Sequence, residues 1–333
     1  MGSHANISFF VPHLGCTHRC TFCDQRSITG QNKLPNASDI KQGVETAVKS
    51  PFYTPHNTEI AFFGGSFTAI EKEYMISLLD SAYVYVKNGA VSGIRVSTRP
   101  DAIDRERLEI LKKYGVSAIE LGAQSMDDLV LSANKRGHTC DDVKNACALI
   151  KEYGFSLGLQ MMSGLYKSTF DTDRKTVEEF IKLSPDTVRI YPTVVLKNTA
   201  LAKLVKSGEY LPLSLFDAVE QCCQHYIDFS KQGIKVIRMG LHSINEEDYV
   251  AGPWHPAFSQ MCMSRIYLSK IKNEIDVFPK GKVVIRVNSS EISTFVGQKK
   301  SNIKELEKIG YVCSIKGEAN IPIGDFKIEG DVK

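Results

Sequence analysis

Three cysteines follow the first apolar run of the sequence in a single short loop. Cys16, Cys20 and Cys23 have the spacing CxxxCxxC. Soft thiolate ligands select zinc, copper(I) or an iron–sulfur cluster. A structural zinc site takes four ligands, and no further Cys or His follows at the spacing of a second knuckle. The only nearby histidine, His18, lies between Cys16 and Cys20, inside the motif itself. Three cysteines on a 4Fe–4S cluster would leave one iron open to a cofactor, so the pattern favours a cluster, with zinc or a redox-sensing cluster as alternatives.

The elements that must position these thiols alternate between β-rich runs and amphipathic helices. The runs predict strands at 7–11, 59–63, 93–98, 118–122, 156–161, 187–191 and 235–239. Repeated βα units of this kind form a parallel sheet, and their number indicates an α/β fold with a partial (β/α) TIM-type barrel. Chemistry in such barrels lies at the C-terminal ends of the strands. The cysteines and the motifs described below all fall at those ends.

Two helical stripes are plain in the sequence. In the segment 141–153, the apolar positions Val143, Ala146, Cys147 and Ile150 follow helical spacing, and Thr139 with Asp142 forms a capping-box pattern before them. A second stripe consists of Phe216, Val219, Cys223, Tyr226 and Ile227. Free cysteine is commonly buried, so Cys147 and Cys223 are predicted to be core residues.

Polar motifs stand after the next three predicted strands. They are FFGGSFT at 62–68, STRPD at 97–101, and ELGAQS at 120–125 with NKRGHT at 134–139. The paired glycines at 64 and 65 let a backbone approach a ligand without an intervening Cβ. Each motif alone is typical of an ordinary polar loop, and it is their combination with CxxxCxxC that carries weight.

The motifs in combination resemble the radical S-adenosylmethionine (SAM) superfamily. The cysteine motif with an aromatic residue, Phe22, before its last cysteine is similar to that of the superfamily. Over about residues 9–242 the chain resembles the SAM core of the Elongator catalytic subunit family, which modifies the tRNA wobble uridine. More distantly it is similar to oxygen-independent coproporphyrinogen III oxidase. The acetyltransferase domain that follows the core in the Elongator family is not seen here, so acetyl-CoA chemistry is not expected.

The resemblance implies the cofactors and their residues. In the superfamily, three cysteines hold a 4Fe–4S cluster whose open iron binds SAM, and an electron from the cluster cleaves SAM to a 5′-deoxyadenosyl radical. By the resemblance, Gln124 and Arg136 hold the ribose and the carboxylate of SAM, and a guanidinium fork suits a carboxylate. The remaining residues implied to position SAM are Phe22, Gly64, Gly65 and Thr68, together with Ser97, which stands where the family tends to have Glu.

Composition and charge set the class of protein. Hydrophobic residues make up 43% of the chain, and no apolar run reaches the ~20 residues of a membrane span, so a soluble protein is expected. Nine cysteines without a secretory signal favour a reducing cytoplasm. The net charge of +3 is too small to indicate a strongly basic nucleic-acid-binding protein. Residues 1–4 are interpreted as an expression scar.

The last part of the chain is predicted to be a separate small unit. We divide the chain into a barrel at 5–242, a connecting segment at 243–279 and a C-terminal unit at 280–333. In the last, a strand at 283–287, a helix at 291–296 and a strand at 311–316 resemble a KH RNA-binding module. There Gly297 begins a GxxG-like turn in which Lys300 replaces the second glycine, and Lys299 and Lys300 bring charge to where phosphates would pass. The alternative is a KH-like cap that only packs on the barrel. Trp254 and His255, set between prolines, are expected to serve packing.

Three functions are consistent with these residues. The first is a radical SAM enzyme that modifies RNA, with tRNA as the leading candidate and a flavodoxin or ferredoxin as electron donor. The second keeps the chemistry but acts on a small metabolite or tetrapyrrole. The third is a non-catalytic RNA-binding iron–sulfur redox sensor. No membrane partner is expected.

Overall fold

A computed structural model describes residues 5–11, 14–16, 19–24, 33–241 and 244–330. Its centre is one parallel sheet whose strands lie in the order of the sequence. The sheet consists of β1 (Ala5–Val11), β2 (Thr58–Gly64), β3 (Gly93–Thr98), β4 (Val116–Gln124), β5 (Ser156–Ser163), β6 (Thr187–Pro192) and β8 (Lys235–Met239). All seven strands were predicted, several with ends that differ by one or two residues. Residues 1–4, His18 and the boundary at 242–243 lie outside the described residues.

Helices cross over between successive strands. They are α1 (Ala37–Val48), α2 (Lys72–Lys87), α3 (Arg105–Lys113), α4 (Asp128–Ala133), α5 (Cys140–Glu152), α6 (Phe170–Leu183), α7 (Ala200–Lys206) and α8 (Leu215–Lys231). Capping boxes start three of them, including the predicted pair Thr139 and Asp142 at α5. Cys147 and Cys223 are buried, as predicted, whereas Phe216 is 67% exposed at the first turn of α8 and does not belong to the core stripe.

The two faces of the sheet differ in chemistry. On β3, Ile94 and Val96 are fully buried in the core between the sheet and the helices, while Arg95 and Ser97 point to the inner face. The sheet curls about this inner face, because Phe10 from β1 and Leu241 after β8 line the same cavity. The partial barrel predicted from the sequence is therefore confirmed, with an apolar outside under the helices and a polar inside.

The chain continues into a second, three-stranded sheet. Helix α9 (Phe258–Ile275) leads to β10 (Gly281–Val287), α10 (Ile292–Val296), α11 (Ser301–Lys308), β11 (Tyr311–Gly317) and β12 (Phe326–Glu329). Strand β10 is central, parallel to β11 and antiparallel to β12. The sequence analysis did not predict β12. The order of elements from β10 to β11 is βααβ, as a KH-like unit requires.

Helix α9 joins this unit to the barrel. It packs against α8 on one side and against α10 and α11 on the other. Tyr267 of α9 stacks on Phe295 with ring centroids 4.1 Å apart, and the buried Asn302 donates to the carbonyl oxygen of Ser264 at 2.9 Å. The C-terminal unit and the barrel therefore share one hydrophobic core.

The segment before α9 holds a small sheet and the only tryptophan of the sequence. Strand β7 (Val195–Leu196) pairs with β9 (Tyr249–Ala251). Trp254 packs near Tyr249 at 6.0 Å between ring centroids, and His255 Nδ1 accepts a bond from the Ala257 backbone N–H at 3.0 Å. The packing role predicted for this pair agrees with these contacts. No helix within the described residues is long and apolar enough to cross a bilayer.

Candidate functional site

A cavity of about 740 Å³ opens at the C-terminal ends of the barrel strands. It gathers all but one of the residues that the sequence analysis selected for the cluster and SAM. Those lining it are Cys16, Cys20, Cys23, Phe22, Gly64, Gly65, Ser97, Gln124 and Arg136. Thr68 is not among them. Its hydroxyl is buried behind the cavity, 2.6 Å from Thr98 Oγ1 and 2.6 Å from the Ala102 carbonyl oxygen, so it supports the wall rather than facing the space.

The three thiols share one electrostatic environment. Burial, and then the neighbouring Cys20, raises the pKa of the Cys16 thiol, and the same two causes raise the pKa of Cys23 to about 12. Arg136 acts on both thiols in the opposite sense. Within the described part of the chain, no group of three His, Cys, Asp or Glu side chains is placed to hold a single metal ion. Thiolates that each bind a different iron of a cluster do not need to converge on one point.

The cysteine loop is held in place through Thr21. The Thr21 backbone N–H donates to the Asn134 carbonyl oxygen at 3.1 Å, and the Thr21 hydroxyl donates to Asn134 Oδ1 at 2.8 Å. On the other side, the Leu201 N–H at the start of α7 donates to the Thr21 carbonyl oxygen at 2.8 Å. Asn134 itself is fully buried, and its Nδ2 donates to the carbonyl oxygens of Val130 and Tyr166, both at 2.8 Å. The sequence analysis missed Asn134 as a site residue.

Residues 134–138, which we call the strap, alternate between buried and exposed positions. Asn134, Arg136 and His138 are at most 6% exposed, whereas Lys135 and Gly137 are exposed, with Lys135 at the mouth of the cavity. Lys135 has φ 53° and Gly137 has φ 73°, so each outward residue adopts the left-handed region. This alternation turns the polar side chains of every second residue, at 134, 136 and 138, in toward the cysteine loop and the end of β4.

Arg136 bridges the cysteine loop and β4. One of its terminal nitrogens lies 3.0 Å from Cys20 Sγ, the other donates to the Gly122 carbonyl oxygen, and its guanidinium lies 5.9 Å from the centre of the Phe22 ring. The guanidinium is thus engaged with a thiol and the backbone, while its buried Nε has no partner among the described residues. Its expected pairing with the SAM carboxylate remains a prediction.

Two further polar groups in the cavity wall lack partners. Gln124 Oε1 and Ser97 Oγ are buried, and neither forms a hydrogen bond with a described residue. Gln124 has φ 69°, a costly conformation for a side-chain-bearing residue. It follows Ala123, whose carbonyl oxygen lies 3.1 Å from His138 Nε2 in the strap. Buried polar groups are ordinarily satisfied, so these two atoms fit a polar ligand bound in the cavity.

Gly64 and Gly65 let the backbone of the cysteine loop pack directly against the end of β2. A Cβ on Gly65 would lie 2.1 Å from the Leu14 carbonyl oxygen, and Gly64 has φ 110°. The Gly65 N–H donates to the Val11 carbonyl oxygen at 2.8 Å, and the Ser66 N–H donates to Leu14 at 2.9 Å. The paired glycines are therefore required for backbone-to-backbone contact with the loop, and they also line the cavity.

The inner wall of the cavity below these groups is charged, and the sequence analysis did not select its residues. Arg189 of β6 forms a two-point ion pair with Glu120 of β4, at 2.8 and 3.0 Å, and both side chains line the cavity. The Arg189 guanidinium also lies 5.3 Å from the centre of the Phe63 ring. The signal that could have found them is a charged residue at an inward position of an otherwise apolar strand.

The predicted nucleic-acid turn lies in the C-terminal unit. Gly297 has φ 76°, and a Cβ there would lie 2.4 Å from Ser301 Oγ. Lys299 (φ 50°) and Lys300 (φ 62°) both adopt the left-handed region and are exposed. The Lys300 N–H closes the turn on the Gly297 carbonyl oxygen at 3.1 Å. The turn thus presents both ammonium groups to solvent just before α11.

Comparison with known proteins identifies related sequences. A curated relative is the tRNA uridine(34) acetyltransferase of Dehalococcoides mccartyi, 24% identical over 62% of this chain and 52% of the relative. Human Elongator complex protein 3 is 31% identical over 49% of this chain and 33% of that protein. The chain therefore spans about half of the first relative and a third of the second. An uncharacterized protein of Methanocaldococcus jannaschii is 27% identical over 73% of this chain and 77% of its own length.

Solved structures and family models agree with the fold. The archaeal Methanocaldococcus infernus Elp3 with an N-terminal deletion superposes with a TM-score of 0.67, at 22% identity, over 82% of this chain and 64% of that one. The Radical_SAM C-terminal domain matches residues 185–270, and the radical SAM superfamily model matches residues 10–180. The superfamily match covers more than half of the chain, and a 4Fe–4S cluster and SAM are the cofactors of that superfamily, as the sequence analysis expected. The chain belongs to the radical SAM superfamily of enzymes.

Proposed function

We propose that this radical SAM enzyme modifies RNA, and that tRNA is its substrate. Two independent features support this substrate. The relatives that share its core include proteins named tRNA uridine(34) acetyltransferase. The C-terminal βααβ unit carries an exposed turn with two lysines, which suits a nucleic-acid backbone. The single observation that carries the enzymatic part is the cavity that joins three thiols to unpartnered polar groups.

We assign the cluster to Cys16, Cys20 and Cys23. The cluster and SAM supply a 5′-deoxyadenosyl radical when bound. The residues of this chain hold and shield that chemistry. Arg136, 3.0 Å from Cys20 Sγ, offsets negative charge on the thiolates, and the ring of Phe22 covers its guanidinium. Because both terminal nitrogens of Arg136 are already engaged, Asn134 and Arg136 together also fix the loop that carries the thiols.

The SAM side of the cavity is formed by β2, β3 and β4. The buried Gln124 Oε1 is an acceptor and the buried Ser97 Oγ can donate or accept; neither has a partner among the described residues, and they would bind polar groups of the nucleoside or of the amino acid part. Gly64 and Gly65 leave backbone exposed to the cavity next to the cysteine loop. A buried site of this kind also excludes water from a reactive intermediate.

The remaining assignments concern partners and organisation. We propose that a flavodoxin or ferredoxin supplies the electron, and that the protein works in the reducing cytoplasm, where free thiols persist. We also propose that residues 280–333 act as an RNA-binding unit on a barrel of residues 5–242, with 243–279 as the connection. In this proposal Gly297 allows close approach of the RNA backbone, and Lys299 and Lys300 neutralise phosphates.

The test is a single anaerobic experiment with two substrate classes. Reconstituted protein would be incubated with SAM and dithionite, and with either a tRNA fraction or a small-metabolite fraction. We expect about four irons and four sulfides per chain, release of 5′-deoxyadenosine, and a mass change in tRNA. The matched controls are Cys20→Ala, which should abolish the cluster, and Cys313→Ala, which removes a thiol far from the loop and should not.

Three results would contradict the proposal at different points. One zinc ion and no sulfide would remove the cluster assignment. A mass change in a metabolite or tetrapyrrole, with tRNA unchanged, would replace the substrate. Cluster assembly without cleavage of SAM would leave the binding of RNA as the only activity.

A further inference from the structure

A chain of ion pairs crosses the inner face of the barrel sheet. Arg95 of β3 lies between two carboxylates, with its Nε 2.8 Å from Glu59 Oε2 and its Nη1 3.3 Å from Glu120 Oε1. Arg189 of β6 pairs with Glu120 from the other side. These four side chains are between 1% and 11% exposed. We call Glu59, Arg95, Glu120 and Arg189 the charged belt, and its two positive and two negative charges cancel.

The carboxylate at the centre of the belt is fully used. Glu120 Oε1 accepts from Arg95 and Arg189, and Glu120 Oε2 accepts from Arg189 and from Gln160 Nε2 at 3.2 Å. A carboxylate offers about four lone-pair sites. Glu120 therefore has no capacity left for another cation.

The next strand adds a third arginine on the same face. Arg238 of β8 is the register partner of Arg189, so both side chains leave the sheet on its inner side. Arg238 Nε donates to the Gly240 carbonyl oxygen at 3.2 Å, and Arg238 forms no ion pair with any residue that the structure describes. Burial lowers the pKa of its guanidinium, and the charge of Arg189 lowers it further. One half-buried positive charge is thus left without a counter-charge.

An external anion would supply the counter-charge that Arg238 lacks among the described residues. Partly buried charges are retained when they are paired, because their desolvation is otherwise unfavourable. Two neighbours of Arg238, Arg189 and Tyr191 of β6, line the reaction cavity. The phenol of Tyr191 lies close enough to both arginines to act on their charges. Arg238 itself is not among the residues that line the cavity, but its register partner Arg189 is, so the guanidinium of Arg238 lies at the β8 edge of the cavity.

We propose that Arg238, with Tyr191 and the outer face of Arg189, forms an anion subsite that binds one phosphodiester group of the substrate. A phosphodiester carries one negative charge. The charged belt is neutral, so Arg238 gives this face of the sheet one excess positive charge, which the phosphodiester would match. A guanidinium binds such a group through two parallel donors. The inference rests on the proposed function, because it takes the cavity to be the place where the substrate binds.

The position of this subsite gives it a role in orienting the substrate. Strand β8 and strand β1 are the two ends of the sheet, and the cysteines lie in the loop after β1. A substrate whose phosphate is held at Arg238 would extend across the cavity toward the thiols. Anchoring a remote phosphate in this way positions the reacting group without contact to it.

The test uses Arg238→Gln and a matched control on the same strand, Lys235→Gln. Lys235 is exposed at the first residue of β8, so both variants remove one positive charge. The probes are a single-stranded uridine-containing RNA octamer, the dinucleotide UpU and inorganic phosphate. Binding to the reconstituted protein would be measured by fluorescence anisotropy and by competition at several salt concentrations.

We expect Arg238→Gln to weaken RNA and UpU binding by about tenfold or more, the effect of losing a charged hydrogen bond. The salt slope for RNA should fall by about 0.7, the value for one phosphate of a single strand. Lys235→Gln should change neither. Thermal melting of the unliganded Arg238→Gln protein should be unchanged or higher, because an unpaired charge has been removed; a structural arginine would instead leave a lower melting temperature.

The outcomes separate this inference from the proposed function. Equal binding of RNA and UpU by the wild type and by Arg238→Gln would overturn the subsite and leave the proposed function intact. If the wild type binds inorganic phosphate through Arg238 but does not bind RNA, the subsite stands and the RNA substrate fails. A wild type that binds none of the three probes would overturn the subsite as well.

Discussion

Replacing Asn134 by alanine should release the cysteine loop from the barrel. The Asn134 side chain accepts from the Thr21 hydroxyl and donates to the carbonyl oxygens of Val130 and Tyr166. Its backbone carbonyl oxygen accepts from the Thr21 N–H, and that bond survives the change to alanine. The substitution therefore removes the side-chain part of the connection between the loop and the strap, while the fold of the strap itself can persist.

The magnitude follows from the groups left without partners. The Val130 carbonyl oxygen still accepts from the Asn134 backbone N–H at 3.1 Å, so it keeps a hydrogen-bond partner in the variant. The Thr21 hydroxyl and the Tyr166 carbonyl oxygen each lose a partner. A buried polar group without a partner costs about 1–3 kcal/mol, so the expected loss in the free energy of unfolding is roughly 2–4 kcal/mol when the surroundings relax in part.

The assay compares global stability with retention of iron. Urea unfolding gives the free energy, and iron and sulfide analysis after anaerobic reconstitution gives cluster content. Asn302→Ala is the matched control, because Asn302 is also buried and its Nδ2 makes bonds of 2.9 to 3.0 Å to Ser264 of α9 and to Phe295 of the C-terminal unit. Alkylation rates of Cys20 and Cys23 in the cluster-free protein report the loop directly.

We expect both variants to lose stability, but only Asn134→Ala to lose iron and to expose its thiols to alkylation. A double-mutant cycle with Thr21→Val isolates the side-chain bond, and a coupling of about 1 kcal/mol is expected for it. The reasoning is refuted if Asn134→Ala is as destabilised as Asn302→Ala but holds its full complement of iron with unchanged alkylation rates. Asn134 would then be a structural residue without a role at the thiols.

Further predictions address other parts of the chain. Gly65→Ala should lower both stability and iron content, because the new Cβ would meet the Leu14 carbonyl oxygen, and loss of stability alone would argue against a role in the loop. Changing Lys299 and Lys300 to Glu should weaken RNA binding and reduce the salt slope by roughly two units, with SAM cleavage unaffected; an unchanged slope would make the unit a packing cap. Burial raises the pKa of Asp173 in the folded protein to about 7. Its carboxyl group therefore ionises at a lower pH in the unfolded protein than in the folded one, and the stability that Asp173 contributes is lost as the pH rises from about 4 to 7. Asp173→Asn should flatten that part of the curve in urea unfolding at several pH values, and a slope equal to that of the wild type would contradict the assignment.

Most of the fold was predictable from the sequence because the two faces of the sheet differ so clearly. The outward positions of each strand are apolar and read as short β runs, and the segment 140–152 shows an apolar stripe behind a capping box. Strand β12 was missed because it has only four residues, too few for their alternation of apolar and charged side chains to stand out. Phe216 fits the helical period but lies in the first turn, beyond the edge of the core.

The sequence predicted which residues line the site better than it predicted the contacts that those residues make. Spacing and resemblance brought together the cysteines, the glycine pair, Gln124 and Arg136, and all of them line one cavity. The roles of Asn134 and Arg238 could not be derived, because a buried amide and an unpaired guanidinium are recognised by their partners in space. Sequence spacing says nothing about whether a carboxylate elsewhere is already occupied by another arginine.

The strap has a consequence for how the length of this loop can change. Surface loops between helices usually tolerate insertions and deletions. Here three inward side chains, at 134, 136 and 138, each meet a different partner, and the left-handed residues Lys135 and Gly137 set the step between them. Adding or removing one residue would turn an outward position inward and separate the guanidinium from the thiol. Homologous chains should therefore hardly differ in how many residues lie between Asn134 and His138, and position 137 should keep a residue that tolerates the left-handed region.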